Sequence, residues 1–546
     1  MSDIHNQTEI HWYEYTTNSI EKAKNQNKAI FLFISTKNSK WSKKMAQESF
    51  ENPIIIELLN ERFIPIKVDA YERPEIERYY HKVYHLMNRQ MASSPLSLFL
   101  TANLEPFYAG SYIPTEEIDE QLSLESLLRI ISKKYITDYE TLCKKGQEVL
   151  SFVNLKEQKI QATKLSLTIT TTITQHVHSL LDTNFGGFGT GAKFPNVSTL
   201  ALLLNHYQLT KETKTLEAVT LTLDNMANNG LYDKKEGGFY TYSEDAAWSK
   251  PYKVKTTYDN AQLIKLYLDA YRVTDNEAYK KIAFETIEYM LKQQLDTKLF
   301  ALKDEGVITS WNALMVQALF SASALDEKYK KCAFEALESL LSKLYISGTL
   351  YHALAKKERD KTEAFLDDYS TLGETLITAY QHSLDESFLL MATHITNLLI
   401  EQYYEHGHWV YTTNTFKIKE SIYDRETPSS VASSLSLLLS ISSLVDNNYK
   451  KFVFKTLELH SYNLMRQPLS SPKLTSMLLR YLKDDIIIKA NEEVLNKQIS
   501  KREQTAYPYV FFKSVLENDL TVNNSHSRLK TLSDFNEINA YLESLS

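Results

Sequence analysis

The sequence predicts a multidomain chain: an α/β part first, then a long all-α part, then a small α/β tail. Three observations carry this. Up to about residue 160, continuous apolar runs alternate with stretches of helical spacing. From about Leu165 to Leu482 the spacing is almost wholly helical. Five glycine- or aromatic-bearing loops recur through that second part, their apolar centres at Phe188, Phe239, Phe300, Leu350 and Trp409, spaced 51, 61, 50 and 59 residues apart. A period of this length is the signature of stacked supersecondary units.

In the first part, Ser19 to Asn27 has helical spacing, with Ile20 and Ala23 on one side. Ala29-Ile-Phe-Leu-Phe-Ile-Ser35 is the unbroken apolar run of a strand buried on both faces. Trp41 to Asn60 spaces Met45, Phe50, Ile55, Leu58 and Leu59 for one helix. Phe63 to Asp69 is a second strand, Pro74 to Asn88 a helix, Pro95 to Thr101 a third strand and Phe107 to Tyr112 a fourth; a helix over Leu122 to Tyr135 closes the set. The βαβ portion requires a right-handed crossover and a parallel pair. The last two strands form a hairpin.

The second part gives twelve helical stretches: 166–181, 197–208, 213–228, 257–273, 276–293, 309–323, 328–344, 368–382, 385–402, 429–442, 447–465 and 471–482. Six helical hairpins can close into a ring that buries every inner helix; an open solenoid is the alternative. In the tail, Asp485 to Lys489 and Tyr509 to Phe512 have strand character, and Ser533 to Leu545 that of a short helix. The boundaries follow: 1–140 α/β domain, 141–164 linker helix, 165–482 helical ring, 483–546 α/β appendage.

Composition narrows the function. Among 546 residues, 61 Lys and Arg against 68 Asp and Glu give a net charge of −7, with no global footprint for nucleic acid. Thirteen glycines are few for a glycine-rich nucleotide-binding fold. The two cysteines, Cys143 and Cys332, exclude a disulfide framework and fit a reducing compartment. No apolar run approaches the roughly 18 residues of a membrane span, and the first residues lack a signal-peptide pattern. A cytoplasmic protein without membrane attachment is expected. No zinc-ligand or phosphate-loop spacing occurs, so no metal and no cofactor is expected.

A set of short motifs goes further. Trp12-Tyr-Glu-Tyr15, Ser39-Lys-Trp-Ser42, Glu48-Ser-Phe50, Glu72-Arg-Pro74 and Phe107 to Pro114 lie in the first part. Ala192-Lys-Phe-Pro195, Gly237-Gly-Phe239, Tyr258-Asp-Asn-Ala261, Thr309-Ser-Trp-Asn312, Leu366-Asp-Asp-Tyr369 and Pro428-Ser429 follow in the second. Together they resemble the thioredoxin-domain family that includes spermatogenesis-associated protein 20 and bacterial YyaL-type proteins. The resemblance spans roughly residues 8 to 480. It implies a thioredoxin-like fold for the first part and an (α/α)6 toroid of the six-hairpin glycosidase kind for the second, and it marks carbohydrate metabolism as the setting.

The departures from that pattern bear on chemistry. The family carries Cys-His-Trp-Cys where this chain has Ser39-Lys40-Trp41-Ser42. Disulfide exchange requires a thiolate, so Ser39, Trp41, Ser42 and Pro95 form a degenerate redox motif, with Pro95 the cis-proline of the fold and Ser94 replacing a family Trp. The family's histidines after Gly-Gly-Phe and before Tyr-Asp-Asn are Tyr240 and Tyr252, a nearby Glu is Val254, and Lys255 remains. Lys40, Lys43 and Lys44 form a small basic cluster at a helix start, as a solvated face would.

At the toroid mouth, aromatic faces beside carboxylates and amides suit a sugar. The expected substrate-binding residues are Tyr232, Phe239, Tyr240, Tyr258, Asn260, Trp311, Asn312, Asp367 and Tyr369, with Asp233 nearby. Asp259 and Asp368 are the expected catalytic pair, since glycosidic cleavage uses two carboxyl groups. Helix capping is the competing explanation for each acid. His352, His406 and His408 lie in other mouth loops, where a histidine is usually solvated. Three functions remain: a redox-inactive protein that binds a sugar-like ligand and docks a protein partner through its thioredoxin-like domain; a hydrolase or epimerase; a non-catalytic scaffold.

Overall fold

The computed structural model describes residues 9–90, 94–118, 121–153, 162–355, 361–413, 416, 418–496, 507–517 and 519–545. The chain divides into two units, residues 1–159 and 160–546.

In the first unit, α1 (Thr17–Gln26) starts at Thr16, whose Oγ1 accepts the Ser19 amide. It leads into β1 (Ala29–Ser35), every residue of which is buried. The single helix expected over Trp41 to Asn60 is two: α2 (Lys40–Glu48) and α3 (Pro53–Arg62). Pro53 has no amide hydrogen to continue an incoming helix, but suits a first helical position. Asn52 completes the restart by accepting the Ile54 amide at 2.9 Å. Then come β2 (Phe63–Asp69), α4 (Pro74–Asn88), β3 (Leu96–Leu100), β4 (Pro106–Gly110), α5 (Leu124–Thr137) and α6 (Tyr139–Val153). The sheet order is β2-β1-β3-β4. β1 and β2 are parallel, and β3 and β4 form the antiparallel hairpin. Phe31, Phe33, Phe99, Leu59 and Leu128 fill the core. The Ser94–Pro95 peptide is cis.

Among the described residues the second unit begins with twelve α-helices: α7 (Leu167–Ser179), α8 (Val197–Thr210), α9 (Thr213–Asn229), α10 (Thr257–Thr274), α11 (Glu277–Lys292), α12 (Thr309–Ser323), α13 (Lys328–Leu344), α14 (Leu366–Ser383), α15 (Glu386–Tyr403), α16 (Ser430–Leu444), α17 (Lys450–Arg466) and α18 (Pro472–Lys483). Two-residue ribbons, β5 (Tyr345–Ile346) with β6 (Thr349–Leu350) and β7 (Tyr404–Glu405) with β8 (His408–Trp409), sit in two of the loops. The even-numbered helices α8 to α18 are the inner set. Each packs on the next, and α18 packs on α8, so the ring is closed and the open solenoid is excluded. Burial follows position: α16 buries every residue except Ser443, as a helix surrounded by protein should.

The tail belongs to this second unit. It contains β9 (Ile486–Ala490), α19 (Glu492–Asn496), β10 (Val510–Ser514), β11 (Leu520–Asn523), β12 (Arg528–Leu532) and α20 (Glu537–Glu543). Its sheet order is β10-β9-β11-β12. Strands β11 and β12 go beyond the sequence expectation; they are short, and the first four residues of β12 are exposed, so no apolar run announces them. The C-terminal ends of α8, α10, α12 and α14 and this tail line a polar cavity of about 530 Å³. The inner helices begin at the other end of the ring, where the sequence places the mouth.

Candidate functional site

Most of the aromatic-acid set expected to bind ligand instead builds the mouth. Asn260 is fully buried. Its Oδ1 accepts the Phe239 amide at 2.7 Å, and its Nδ2 donates to the carbonyls of Phe239 and Thr256 at 3.2 and 2.8 Å. Asn312 repeats the arrangement one hairpin later, accepting the Phe300 amide at 2.7 Å and donating to Phe300 and Ile308. Each amide therefore clamps the loop that precedes its helix, and neither is available to a ligand. Phe239 is a fully buried core residue.

A second repeated device holds the glycine loops. Asp182 Oδ1 accepts the amides of Asn184 and Phe185, and Asp233 Oδ1 those of Lys235 and Glu236. A lysine then ties each aspartate to a glycine carbonyl: Lys193 to Asp182 and Gly186, both at 2.6 Å, and Lys255 to Asp233 and Gly237 at 2.9 and 2.6 Å. Partial burial opposes ionisation of Asp233, but Lys255, the loop amides and the Tyr240 hydroxyl hold its carboxyl down at about 2. Tyr240 donates to Asp233 Oδ2 at 2.9 Å, and burial with that carboxylate pushes its phenol up to about 12. Tyr232 donates to Glu285 at 2.6 Å. Gly186 and Gly237 cannot be replaced cheaply: both have positive φ, and a Cβ would stand 2.6 Å from Thr222 Cα and 2.7 Å from the Glu285 carbonyl oxygen, respectively.

Asp368 is likewise structural. It has no exposed surface. Oδ2 accepts the Phe365 amide at 3.1 Å, which caps α14, and lies 2.7 Å from His352 Nδ1; Oδ1 accepts the Ser310 amide at 3.1 Å. The carboxylate joins the starts of α12 and α14. His352 is buried with it rather than solvated. Asp367, beside it, is half-buried, and Tyr369 packs 6.0 Å from Tyr403. Tyr258 and Trp311 pack together, centroids 4.9 Å apart, with only 3% and 8% exposure.

Asp259 is placed differently. Thr256 caps α10 by accepting the Asp259 amide at 3.3 Å and donating to Asp259 Oδ2 at 2.6 Å. The carboxyl lines a cleft of about 270 Å³ at the mouth. The walls come from the segment Phe194–Thr199 entering α8, from Thr241, from Gln262, from Asp424, Arg425 and Glu426 ahead of α16, and from Leu469 and Pro472 at α18. Burial, reinforced by the charges of Glu426 and Glu305, raises the Asp259 pKa well above the usual carboxylate range, despite its bond to Thr256. Asp424 Oδ1 accepts the Ser429 amide at 2.8 Å and Oδ2 the Lys473 amide at 2.9 Å. Burial still outweighs these bonds and pushes its carboxyl up to about 6. At the rim, Phe194 is 54% exposed and stacks on Tyr242 at 5.0 Å, which stacks on Tyr252 at 5.2 Å.

Phe194, Asp424, Arg425 and Glu426 were absent from the sequence-derived site. Phe194 lies within Ala192-Lys-Phe-Pro195, and Asp424, Arg425 and Glu426 just precede Pro428-Ser429, so the signal was their place in or beside shared motifs.

In the first unit, Ser39 caps α2 by accepting the Ser42 amide at 3.2 Å and donates to the Ser94 carbonyl at 3.1 Å. Ser42 Oγ lies 3.5 Å from Ser94 Oγ. The two hydroxyls thus face the residue before cis Pro95. Trp41 is 44% exposed, its ring 4.9 Å from Tyr112, with the Lys44 ammonium over both. Cys143 and Cys332 are unbridged, and burial raises both thiols above their ordinary pKa.

A family described as Thioredox_DsbH, protein of unknown function, DUF255, matches residues 3–154. Over 294 residues, 52% of this chain, the sequence is 30% identical to human spermatogenesis-associated protein 20, covering 37% of that protein. Over 331 residues it is 28% identical to the uncharacterized protein B0495.5 of Caenorhabditis elegans, 59% of this chain and 45% of that one. The chain thus spans less than half the length of these curated relatives. Among solved structures, a D-mannose isomerase aligns with 58% of this chain and 97% of its own at 13% identity and TM-score 0.48. A sugar epimerase from a ruminal bacterium aligns with 54% and 86% at 15% identity and TM-score 0.44. These two likenesses add nothing to what the closed ring already shows.

Proposed function

From this similarity to the thioredoxin-domain family of spermatogenesis-associated protein 20, we propose that the chain is a redox-silent protein whose ring holds a carbohydrate-like ligand in the Asp259 cleft. The observation that carries the reading is the cleft itself: a carboxyl whose pKa burial raises, in one lining with the exposed aromatic ring of Phe194. A carboxyl accepts from sugar hydroxyls and, when protonated, also donates, and an aromatic face suits a C–H surface. The Asp259 end of the expected catalytic pair keeps a place in this site; Asp368, spent on two helix starts, does not.

Redox silence is supported by chemistry. Ser39 and Ser42 stand where exchange would need two thiols, and a hydroxyl cannot form or break a disulfide. The raised thiols of Cys143 and Cys332 offer little thiolate. Two unbridged cysteines also suit a cytoplasmic location. The exposed Trp41 beside Tyr112 supports a docking use of the first unit, with an aromatic anchor available to a protein partner.

A thermal-shift panel of neutral sugars and sugar phosphates tests the ligand reading. A ligand at 100 times its Kd adds about 2.7 kcal/mol to stability, and this shift should be present in wild type and lost in Asp259→Asn. A panel with no shift would overturn the carbohydrate reading.

A further inference from the structure

We propose that this cleft takes a ligand bearing a protonated primary amine, with the ammonium between Asp259 and Glu426 and against the ring of Phe194. The inference goes beyond the carbohydrate reading above. It sets the charge of the ligand, whether the body carrying that charge is a sugar or another small molecule.

The charges of the lining point one way. Among the described residues that line the cleft, Asp259, Asp424 and Glu426 are acids and Arg425 is the one base. Asp424 is already occupied, since its two oxygens accept the amides of Ser429 and Lys473 at the starts of α16 and α18. Those two amides therefore have partners and are closed to an anion. Asp259 is not fully occupied. The residue is only 8% exposed, and its Oδ2 accepts the Thr256 hydroxyl. Oδ1 has no hydrogen-bond partner among the described residues and is not sealed in the core, so it opens on the cleft. A carboxylate oxygen in so buried a place is unfavourable until a donor meets it.

Glu426 comes from a different element. Gln262 of α10 donates to its backbone carbonyl at 2.9 Å, which ties the segment ahead of α16 to the helix whose first turn holds Asp259. The Glu426 side chain is exposed and makes no hydrogen bond or ion pair among the described residues. Its charge, with that of Glu305 from the segment before α12, disfavours ionisation of Asp259, and Thr256 opposes them. Arg425 offsets one negative charge of the lining. A neutral hydroxyl could bond to Asp259 but would leave the repulsion between the carboxyls in place. An ammonium supplies N–H donors and cancels that repulsion. Phe194, 54% exposed and stacked on Tyr242, adds a ring face to the same lining, and ring faces attract cations.

Binding of this kind is linked to protons. An ammonium favours the Asp259 anion, so the carboxyl is ionised in the complex. Protons are released wherever the free carboxyl still holds them. Affinity then rises with pH above the ordinary carboxylate range, until the amine itself loses its proton.

The test uses the full chain and matched probes that differ in the amine: glucosamine against glucose and N-acetylglucosamine, and cyclohexylamine against cyclohexanol. Isothermal titration calorimetry gives Kd and, from buffers of different ionisation heat, the protons released. At least one amine should bind about 10- to 100-fold more tightly than its neutral partners, as a hydrogen bond to a charged group gives, and should release protons. Asp259→Asn keeps an acceptor for Thr256 and should lose both the preference and the proton release. Glu426→Gln, a change at an exposed side chain, should weaken the preference. Glucose or N-acetylglucosamine binding as tightly as glucosamine, with cyclohexylamine no better than cyclohexanol, would overturn the inference and leave the carbohydrate reading intact. Cyclohexylamine binding with no sugar bound would uphold the inference and remove the carbohydrate reading. Binding of neither amine, or a preference unchanged in Asp259→Asn, would overturn it.

Discussion

A carboxyl whose pKa is raised by burial is a cost to the fold. In the unfolded chain Asp259 and Asp424 ionise near 3.9. In the native state both bind their protons more tightly, Asp424 up to about 6 and Asp259 well beyond the ordinary range. The native state therefore holds more protons than the unfolded chain once pH exceeds about 4, and stability falls as pH rises through that window. Asp259→Asn removes one such group while keeping an acceptor for Thr256. The variant should melt higher than wild type at pH 7, and the difference should vanish near pH 4; melting curves from pH 4 to 8 would show it. The same residues mark what the sequence made legible. Asp259 stood out because Tyr258-Asp-Asn-Ala261 begins a helix at a ring mouth. Asp424 did not, because its place in the cleft depends on α8, α16 and α18 meeting, and no local pattern encodes that. Asn260 and Asp368 looked like ligand groups for the same reason that they serve so well as clamps: short polar side chains at helix starts satisfy backbone amides.

At the scale of elements, the ring is a set of helices pinned at their first turns. Asn260 and Asn312 each hold both backbone groups of a buried phenylalanine in the loop ahead. Removing either amide orphans a buried N–H and a buried carbonyl. Asn312→Ala and Asn260→Ala should each cost about 2–4 kcal/mol, measured by urea unfolding. Twelve helices were readable because each carries a 3.6-residue apolar stripe or a fully apolar surface over three or more turns. The break between α2 and α3 was not, because apolar spacing continues across it and only Pro53 with Asn52 signals the restart. Strands β11 and β12 lacked a signal too, since β11 becomes a strand by pairing with β9 and β12 by pairing with β11, rather than through an apolar run.

For the molecule as a whole, two statements can be checked directly. The protein should not accelerate insulin disulfide reduction by dithiothreitol, and replacing Cys143 and Cys332 together should change nothing in that assay. Activity at the rate of a dithiol enzyme would sink the redox-silent reading. The tail, in turn, is bound to the ring by a buried fork. Arg480 of α18 donates twice to Asp485, at 2.7 Å each, and also to Ser436 and Ser440 of α16. Arg480→Met would strand the Asp485 carboxylate and should cost about 3–5 kcal/mol, read as a lower urea midpoint. The order of the elements along the chain made the ring and the tail foreseeable, whereas this charge pair joining them was not, because it needs α16, α18 and Asp485 of the tail in one place.

Closure of the ring between α8 and α18 also governs how the protein is made. Thr163, ahead of α7, donates its amide to Ser461 of α17, 298 positions later. Until α18 has left the ribosome, the apolar flanks of α8 and α16 lack the neighbour that covers them. At about 5–20 residues per second, that interval lasts about 15 to 60 s. Through it the nascent chain is an open arc with two sticky ends, and a chaperone that shields those ends would raise the yield of folded protein more than one acting on the finished chain.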